Sequence, residues 1–306
     1  MNMPIPMESD EWIDIHAHVA GVARIGVDAT RYGVRQGVGV LVDAGSAPPA
    51  ELGERLAALN AGPTMVLAWA NICAEGIAGE GCATHNITGA AAREALASLP
   101  GRVVGIKLQC SNTRLAERGL GAIENAKAVT GEFGVPLLVH VGNGPPTIRE
   151  VASVLRPGDI ITHFAHGKPE GALGDDGKPH PALIDARAGG VLFDIGHGAG
   201  SFSWPVMERL ADSGFWPDTI STDLHQGSAE APVGSLADCM SKLLTLGMPL
   251  EEVVAAVTSR PRAALKLPAP ERRTTFRVID EQWVATDSYG ESRMPRQRIV
   301  PEPLDG

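Results

Sequence analysis

Apolar runs alternate with amphipathic segments along most of the chain. The apolar runs, which we predict to be strands, lie at residues 12–18, 38–42, 64–72, 103–109, 137–140, 159–163, 191–195 and 218–222. Segments with helical periodicity lie between them, at 28–36, 50–61, 87–99, 120–133, 147–155, 181–188 and 203–213. Each interval leaves room for one crossover helix, so the pattern predicts an α/β fold, a (β/α)8 TIM barrel with both faces of its sheet covered.

The pattern changes after the eighth run. Residues 234–246 and 250–259 have helical periodicity, whereas 274–279 and 282–286 read as two strands in a segment rich in proline and arginine. We therefore predict two units. Residues 11–266 form the barrel, and residues 267–306 form a reduced C-terminal β appendage with its tail.

The composition argues against several classes of binding partner. The formal net charge is −10, with 26 Lys and Arg against 36 Asp and Glu and no basic block, so no nucleic acid is expected. No window approaches 18 consecutive apolar residues and no signal peptide is evident, so no membrane partner is expected. Four cysteines without a C-x-x-C pair favour a reducing, cytoplasmic location.

Six residues of metal-ligand type lie in or at the ends of these apolar runs. His16 and His18 are separated by one residue, so in an extended strand both imidazoles point to the same face. The others are Lys107 in the fourth run, His140 and His163 at the ends of the fifth and sixth, and Asp223 after the eighth. Catalytic groups of such barrels lie at the carboxyl ends of the strands, so these residues predict a metal site.

Four further residues are candidates for contacts to a substrate or to the ligands. Three are histidines near strand ends: His197 between two glycines after the seventh run, His225 two residues after Asp223, and His166 shortly after His163. The fourth is Asn71, at the end of the third run. Asp14 shares the face of His16 by the period-two count but lies deeper in the strand, so we assign it a structural role.

The ligand set resembles that of the amidohydrolase superfamily with a binuclear metal centre. The resemblance covers residues 12 to about 265. Shorter phrases are similar to a dihydroorotase-like branch that contains amidohydrolases, deacetylases and acetyl esterases acting on α-acyloxy carboxylates. These phrases are Gly105-Ile106-Lys107, His140-Val141-Gly142-Asn143, Asp194-Ile195-Gly196-His197-Gly198 and Ser221-Thr222-Asp223-Leu224-His225.

The resemblance implies a role for each of the six residues. One divalent metal ion would be held by His16, His18 and Asp223, and the other by His140 and His163. Lys107 would bridge the two ions as a carboxylated lysine, because a plain ammonium has no lone pair to offer. Asp223 would also orient a metal-bridged hydroxide and move its proton. Imidazole and carboxylate ligands favour zinc.

The function implied is hydrolysis of an amide or ester bond, of deacylase type, in a small organic acid. The expected partner is thus a small molecule that bears a carboxylate, and the chain is expected to form a homo-oligomer. The alternative is a cyclic amide hydrolase of the dihydroorotase or hydantoinase type. A deaminase is disfavoured because mononuclear sites of that kind need no bridging lysine, and a catalytically silent scaffold should show gaps among the ligands.

One departure from the family concerns the appendage. Amidohydrolases usually build a small β-sandwich from segments on both sides of the barrel, and only eleven residues precede Trp12 here. The strands near 274–286 are therefore expected to lack their usual partners. They would pair with another subunit or pack on the barrel, unless the true start of the protein lies upstream.

Overall fold

A parallel sheet of seven strands dominates the computed structural model, which describes residues 4–20, 25–77, 87–112, 114–115 and 119–304. Its strands follow one another in chain order, each hydrogen-bonded to the next. After an edge strand β1 (Met7–Asp10), they are β2 (Trp12–Ala17), β3 (Val38–Asp43), β4 (Met65–Asn71), β5 (Val103–Gln109), β6 (Leu137–His140), β7 (Ile160–Thr162) and β8 (Leu192–Asp194). The predicted α/β barrel architecture is confirmed, with the sheet curled and its strands joined by crossover helices.

Helices cover the outside of the sheet. They are α1 (Ala29–Tyr32), α2 (Leu52–Leu59), α3 (Ala90–Ser98), α4 (Gly119–Phe133), α5 (Ile148–Val154), α6 (Pro181–Ala188), α7 (Trp204–Asp212), α8 (Leu236–Thr245), α9 (Leu250–Ala255) and α10 (Ser259–Ala264), with 3₁₀ helices at Val34–Gln36 and Pro49–Glu51. The local sequence determines where several helices begin. Thr147 and Glu150 form a capping box at the start of α5, and Pro181 is the first residue of α6. None of the described helices has the length and apolar character needed to span a bilayer.

The predicted eighth strand is an extended segment rather than a regular strand. It joins both edges of the sheet through single parallel bridges, Asp194 to Thr219 and Ala17 to Leu224. The neighbouring residues Gly196 and Gly198 have positive φ angles of 48° and 51°, which interrupts a continuous ladder on that side. The segment still lies between β8 and β2, so it carries Asp223 to the place that the sequence predicted.

The buried side chains form two clusters. The larger lies between the sheet and the helices, and the smaller comes almost entirely from alternate strand positions, among them Ile13, Val40, Leu67, Trp69, Leu138 and Ile160. Asn71, His140 and Thr162 each follow a member of the smaller cluster by two residues, so they point to the same side of the sheet. The smaller cluster therefore fills the barrel beneath the strand ends that hold the candidate site.

The appendage contains a strand from the N-terminal side, which corrects the expectation that its strands lack partners. β1 pairs antiparallel with β9 (Arg273–Asp280), which also pairs with β12 (Gln297–Pro301). A second, two-stranded pair is formed by β10 (Ala285–Thr286) and β11 (Ser292–Arg293). Thr274 ties the small sheet to the barrel, because its hydroxyl donates to the Gly37 carbonyl and accepts from the Trp12 amide.

Candidate metal centre

The six predicted ligand-type residues come together at the carboxyl ends of the strands. Lys107 Nζ lies 2.7 Å from His16 Nε2. Asp223 Oδ1 lies 3.2 Å from His16 Nε2 and 3.0 Å from His18 Nε2, and Asp223 Oδ2 lies 4.0 Å from His163 Nε2. The His140 and His163 rings meet edge to face with 4.4 Å between centroids. Residues from four strands and the closing segment therefore share one small volume.

Hydrogen bonds set the tautomers of three of these histidines. Thr162 donates its hydroxyl proton to Asp194 at 2.7 Å, so it can only accept from His16 Nδ1, 3.0 Å away. Ser46 likewise donates to Asp43 at 2.7 Å and accepts from His18 Nδ1 at 2.7 Å.

The third case is His163, whose Nδ1 lies 2.6 Å from the Gly196 carbonyl oxygen and must donate to it. In all three rings Nδ1 therefore carries a proton, which in the neutral form leaves the lone pair on Nε2. Oriented imidazoles of this kind are the usual support of a metal site.

The lone pairs converge on each other and on a carboxylate. Burial and the neighbouring Lys107 lower the pKa of His16 to about 3, and burial lowers the pKa of His163 well below its ordinary value, so both rings are neutral at pH 7. His163 Nε2 is buried and, within the described part of the chain, has no hydrogen-bond partner. Lys107 Nζ can donate to His16 Nε2. His163 Nε2, however, faces the Asp223 carboxylate at 4.0 Å, and a cation between two such acceptors would remove their repulsion, so the donor set fits divalent metal ions.

Lys107 is an unusual residue for the interior of a sheet. Its side chain is fully buried in β5, and burial lowers its pKa to about 8 although Asp223, Asp194 and Asp43 oppose the shift. A substantial fraction of the amine is consequently neutral near physiological pH. A neutral amine is the form that can react with carbon dioxide.

Close backbone packing holds Asp223 and His163 in place. Both have positive φ, 49° and 72°, which is uncommon for residues with side chains and occurs where the surroundings enforce it. A Cβ on Gly198 would lie 2.3 Å from Asp223 Oδ2, and one on Gly196 would lie 2.7 Å from His163 Nδ1. Only glycine fits at these two positions of the loop after β8.

The four additional candidates differ in what they contact. His197 is buried, with Nδ1 3.1 Å from the Gly198 carbonyl oxygen and Nε2 2.7 Å from Lys242 Nζ, so both its ring nitrogens are engaged within the protein. Asn71 donates to the Gly45 carbonyl and accepts from the Cys73 amide.

The remaining two candidates are His225 and His166. The His225 ring lies 6.4 Å from that of His18, whereas His166 is buried with Nε2 unpartnered. The structure thus brings His225 close to the cluster, and it orders Asn71 and His197 through protein contacts.

Sequence reasoning missed the residues behind the ligands. Asp43 and Asp194, the last residues of β3 and β8, are fully buried carboxylates that accept from the hydroxyls of Ser46 and Thr162. An acidic residue that closes an otherwise apolar strand was the available signal. The hydroxyl partners carried no such signal, because serine and threonine are common after strands.

The C-terminal segment also reaches this face of the barrel. Ser288 Oγ donates to the Gly198 carbonyl at 2.9 Å, and Tyr289 donates to the Gly200 carbonyl at 3.0 Å while accepting from the Gly167 amide at 2.9 Å. Lys242 Nζ contacts the Thr286 carbonyl as well as His197. The appendage therefore braces the loop whose glycines pack against Asp223 and His163.

The chain is similar to proteins called deacetylases and to solved structures of a deaminase and a dihydroorotase. No family model matches the chain. The chain is 34% identical over 304 residues to a deacetylase of Brucella anthropi, an alignment that covers 94% of this chain and 76% of the relative. The crystal structure of an adenine deaminase matches with a TM-score of 0.92 at 30% identity, covering 98% of this chain and 85% of that one. A dihydroorotase structure matches with a TM-score of 0.89 at 31% identity, covering 96% and 81%.

A barrel with imidazoles, a carboxylate and a buried lysine at its strand ends defines an enzyme of the hydrolase class. The chain belongs to the amidohydrolase superfamily, within the group that includes these deacetylases.

Proposed function

We propose that the protein is a metal-dependent deacylase that cleaves an amide or ester bond in a small, carboxylate-bearing organic acid. The observation that carries the proposal is the convergence of unprotonated Nε2 atoms and the Asp223 carboxylate beside a buried lysine. The similarity to proteins called deacetylases supports the acyl bond as the one cleaved.

The residues can be divided between two metal ions, for which zinc is our choice. His16, His18 and Asp223 would hold one ion, His140 and His163 the other, and Lys107 would bridge them after its neutral amine takes up carbon dioxide and releases a proton to become a carbamate. When bound, the ions would polarise the acyl carbonyl and lower the pKa of a water molecule toward neutrality. Supporting hydrogen bonds from Thr162, Ser46 and Gly196 would keep the rings in the required tautomer.

Asp223 performs the proton transfer in this proposal. Its carboxylate lies against the Nε2 atoms of His16 and His18 and is partly open to solvent, so it can accept the proton of the attacking water. The same oxygen then delivers that proton to the nitrogen or oxygen atom that leaves. Gly198, packed against Oδ2, fixes the direction of the carboxylate.

A second candidate is opening of a cyclic amide, which the similarity to a dihydroorotase favours. One experiment separates the candidates. Purified protein is analysed for metal content and then tested, loaded with zinc, against N-acetyl and O-acetyl carboxylates, dihydroorotate, hydantoins and adenine. We expect about two zinc ions per chain and turnover of acetylated carboxylates. Turnover of only the cyclic amides, or one ion with release of ammonia from adenine, would overturn the proposal.

Two other expectations stay predictions. We propose a cytoplasmic location and a homo-oligomeric state, which fractionation of cells and light scattering would test. Cys110 and Cys239 are free and buried, which supports a reducing compartment.

A further inference from the structure

Lys168 is a partly buried cation at the edge of the candidate site. It lies in the segment between β7 and α6 with its side chain half-buried. Among the described residues, its Nζ atom makes no hydrogen bond, and no carboxylate oxygen lies within 4.0 Å of it. A partly buried ammonium in this state favours the approach of an anion, because burial has removed part of its hydration.

His166 is a second donor without an acceptor in the same place. Its Nδ1 accepts from the Lys168 amide at 3.2 Å, and burial with the charge of Lys168 lowers its pKa to about 4, so the ring is neutral with its proton on Nε2. His166 is 1% exposed, and its Nε2 has no hydrogen-bond partner among the residues that the structure describes. Buried donors are almost always paired, so this N–H group indicates a ligand.

Gly142 brings the two donors to the metal-ligand cluster. A Cβ on Gly142 would lie 3.1 Å from Lys168 Nζ and 3.6 Å from His166 Cδ2, the ring carbon bonded to Nε2. Gly142 follows His140 by two residues and has a φ of 127°, a conformation reserved for glycine. The Lys168 amine and one edge of the His166 ring therefore both lie beside Gly142, just after the end of β6.

We propose that Lys168 and His166 bind the carboxylate group of the substrate. The inference rests on the proposed function, because the acyl bond must lie at Asp223 while the carboxylate lies beside Gly142. A carboxylate has two oxygens that accept only, which matches one ammonium and one neutral N–H that only donate. Neither residue takes part in the proton transfer.

The test compares two substrates that differ only at the carboxylate group, O-acetyl-lactate and its neutral carboxamide, with zinc-loaded protein. Loss of a charge-assisted hydrogen bond should lower kcat/KM of Lys168→Met for the carboxylate by about 10- to 150-fold. The change for the carboxamide should stay below about twofold. Lys178→Met, which removes an exposed lysine of the same segment, is the matched control and should change neither value.

His166 is tested by a pair of variants. His166→Gln keeps an N–H donor near the position of Nε2 and should retain more preference for the carboxylate than His166→Leu. Equal losses on both substrates in Lys168→Met would overturn the inference while leaving the deacylase proposal intact.

If the unmodified protein hydrolyses neither compound, the deacylase proposal fails, and binding of lactate measured by titration calorimetry decides the inference alone. Weaker binding in Lys168→Met but not in Lys178→Met supports the subsite, and equal binding overturns it.

Discussion

His16 Nδ1 lies 3.0 Å from the hydroxyl oxygen of Thr162, and this contact decides which nitrogen of His16 is free to bind a metal ion. The hydroxyl proton is committed to Asp194, so Thr162 can only accept. Thr162→Val keeps the shape of the side chain and removes the acceptor. We expect the affinity for zinc to fall about 10- to 100-fold, as found when support of a metal-binding imidazole is lost.

The measurement for this variant is a zinc titration against a competing chelator. The control is Thr245→Val, which removes a hydroxyl that donates to the Ser241 carbonyl within α8. This variant should bind zinc like the unmodified protein. Unchanged zinc affinity in Thr162→Val would show that the tautomer of His16 does not matter for binding.

Lys107→Ala should reduce the metal content from about two ions per chain to one or none and abolish turnover. The reason is that a methyl group can neither form a carbamate nor bridge two cations. Elemental analysis of the purified variant, with Lys178→Ala as control, measures the effect. Retention of two ions with full turnover would exclude the bridging role.

Asp223→Asn preserves the size of the side chain but removes the basic oxygen. We expect kcat to fall by about 10²- to 10⁴-fold, the usual contribution of a positioned proton-transfer group, while the metal ions remain bound. Asp212→Asn changes an exposed carboxylate at the end of α7 and serves as control. Undiminished turnover in Asp223→Asn would remove it as the proton shuttle.

Gly198→Ala tests whether close packing positions Asp223. Gly198 and Gly214 both have left-handed backbone conformations, with φ of 51° and 70°, so alanine costs about 1–2 kcal/mol of strain at either position. Only at Gly198 does the new Cβ meet Asp223 Oδ2, whereas Gly214 has open space. We expect kcat to fall roughly 10²-fold in Gly198→Ala, because a misplaced catalytic group is costly, and to stay unchanged in Gly214→Ala. Similar kcat values would contradict this.

Acidification should destabilise the metal-free protein through its buried neutral histidines. The pKa of His166 is about 4 in the folded state against about 6.5 when unfolded, so the unfolded chain binds more protons between these values. The free energy of unfolding therefore falls as pH drops from about 6.5 to about 4, by up to about 1.4 kcal/mol per pH unit for this group. Burial raises the pKa of Asp14 to about 7 and that of Asp194 to about 6. These two carboxyl groups therefore increase the free energy of unfolding as the pH falls.

The contribution of His166 is isolated by comparing His166→Gln with the unmodified protein. We expect denaturant titrations of the metal-free proteins at pH 7, 6 and 5 to show that the free energy of unfolding falls less steeply with decreasing pH in the variant. Identical slopes would mean that His166 does not titrate differently in the folded and unfolded states.

The barrel could be predicted because its strands are buried on both faces. Burial on both faces produces apolar runs, and the predicted limits at 103–109 and 137–140 agree with β5 and β6 as observed. The eighth strand was the exception. Residues 218–222 contain a single apolar residue, Ile220, and their hydrogen bonding depends on the neighbouring backbone, which turns at Gly196 and Gly198.

The partner strand of the appendage was missed for a related reason. Met7–Asp10 is short and polar, so periodicity does not mark it, and its pairing with β9 joins residues more than 260 positions apart. Contacts of this kind leave no local pattern.

The sequence alone determined the strand-end residues, because an ionisable side chain in or at the end of an apolar run stands out without any knowledge of its neighbours. Lys107, His140 and Asp223 could be named on that ground. Only the tertiary structure decided which nitrogen of each histidine is free and which donors lack an acceptor. Those properties depend on hydrogen bonds between segments far apart in the chain, such as those of Thr162 with His16 and with Asp194.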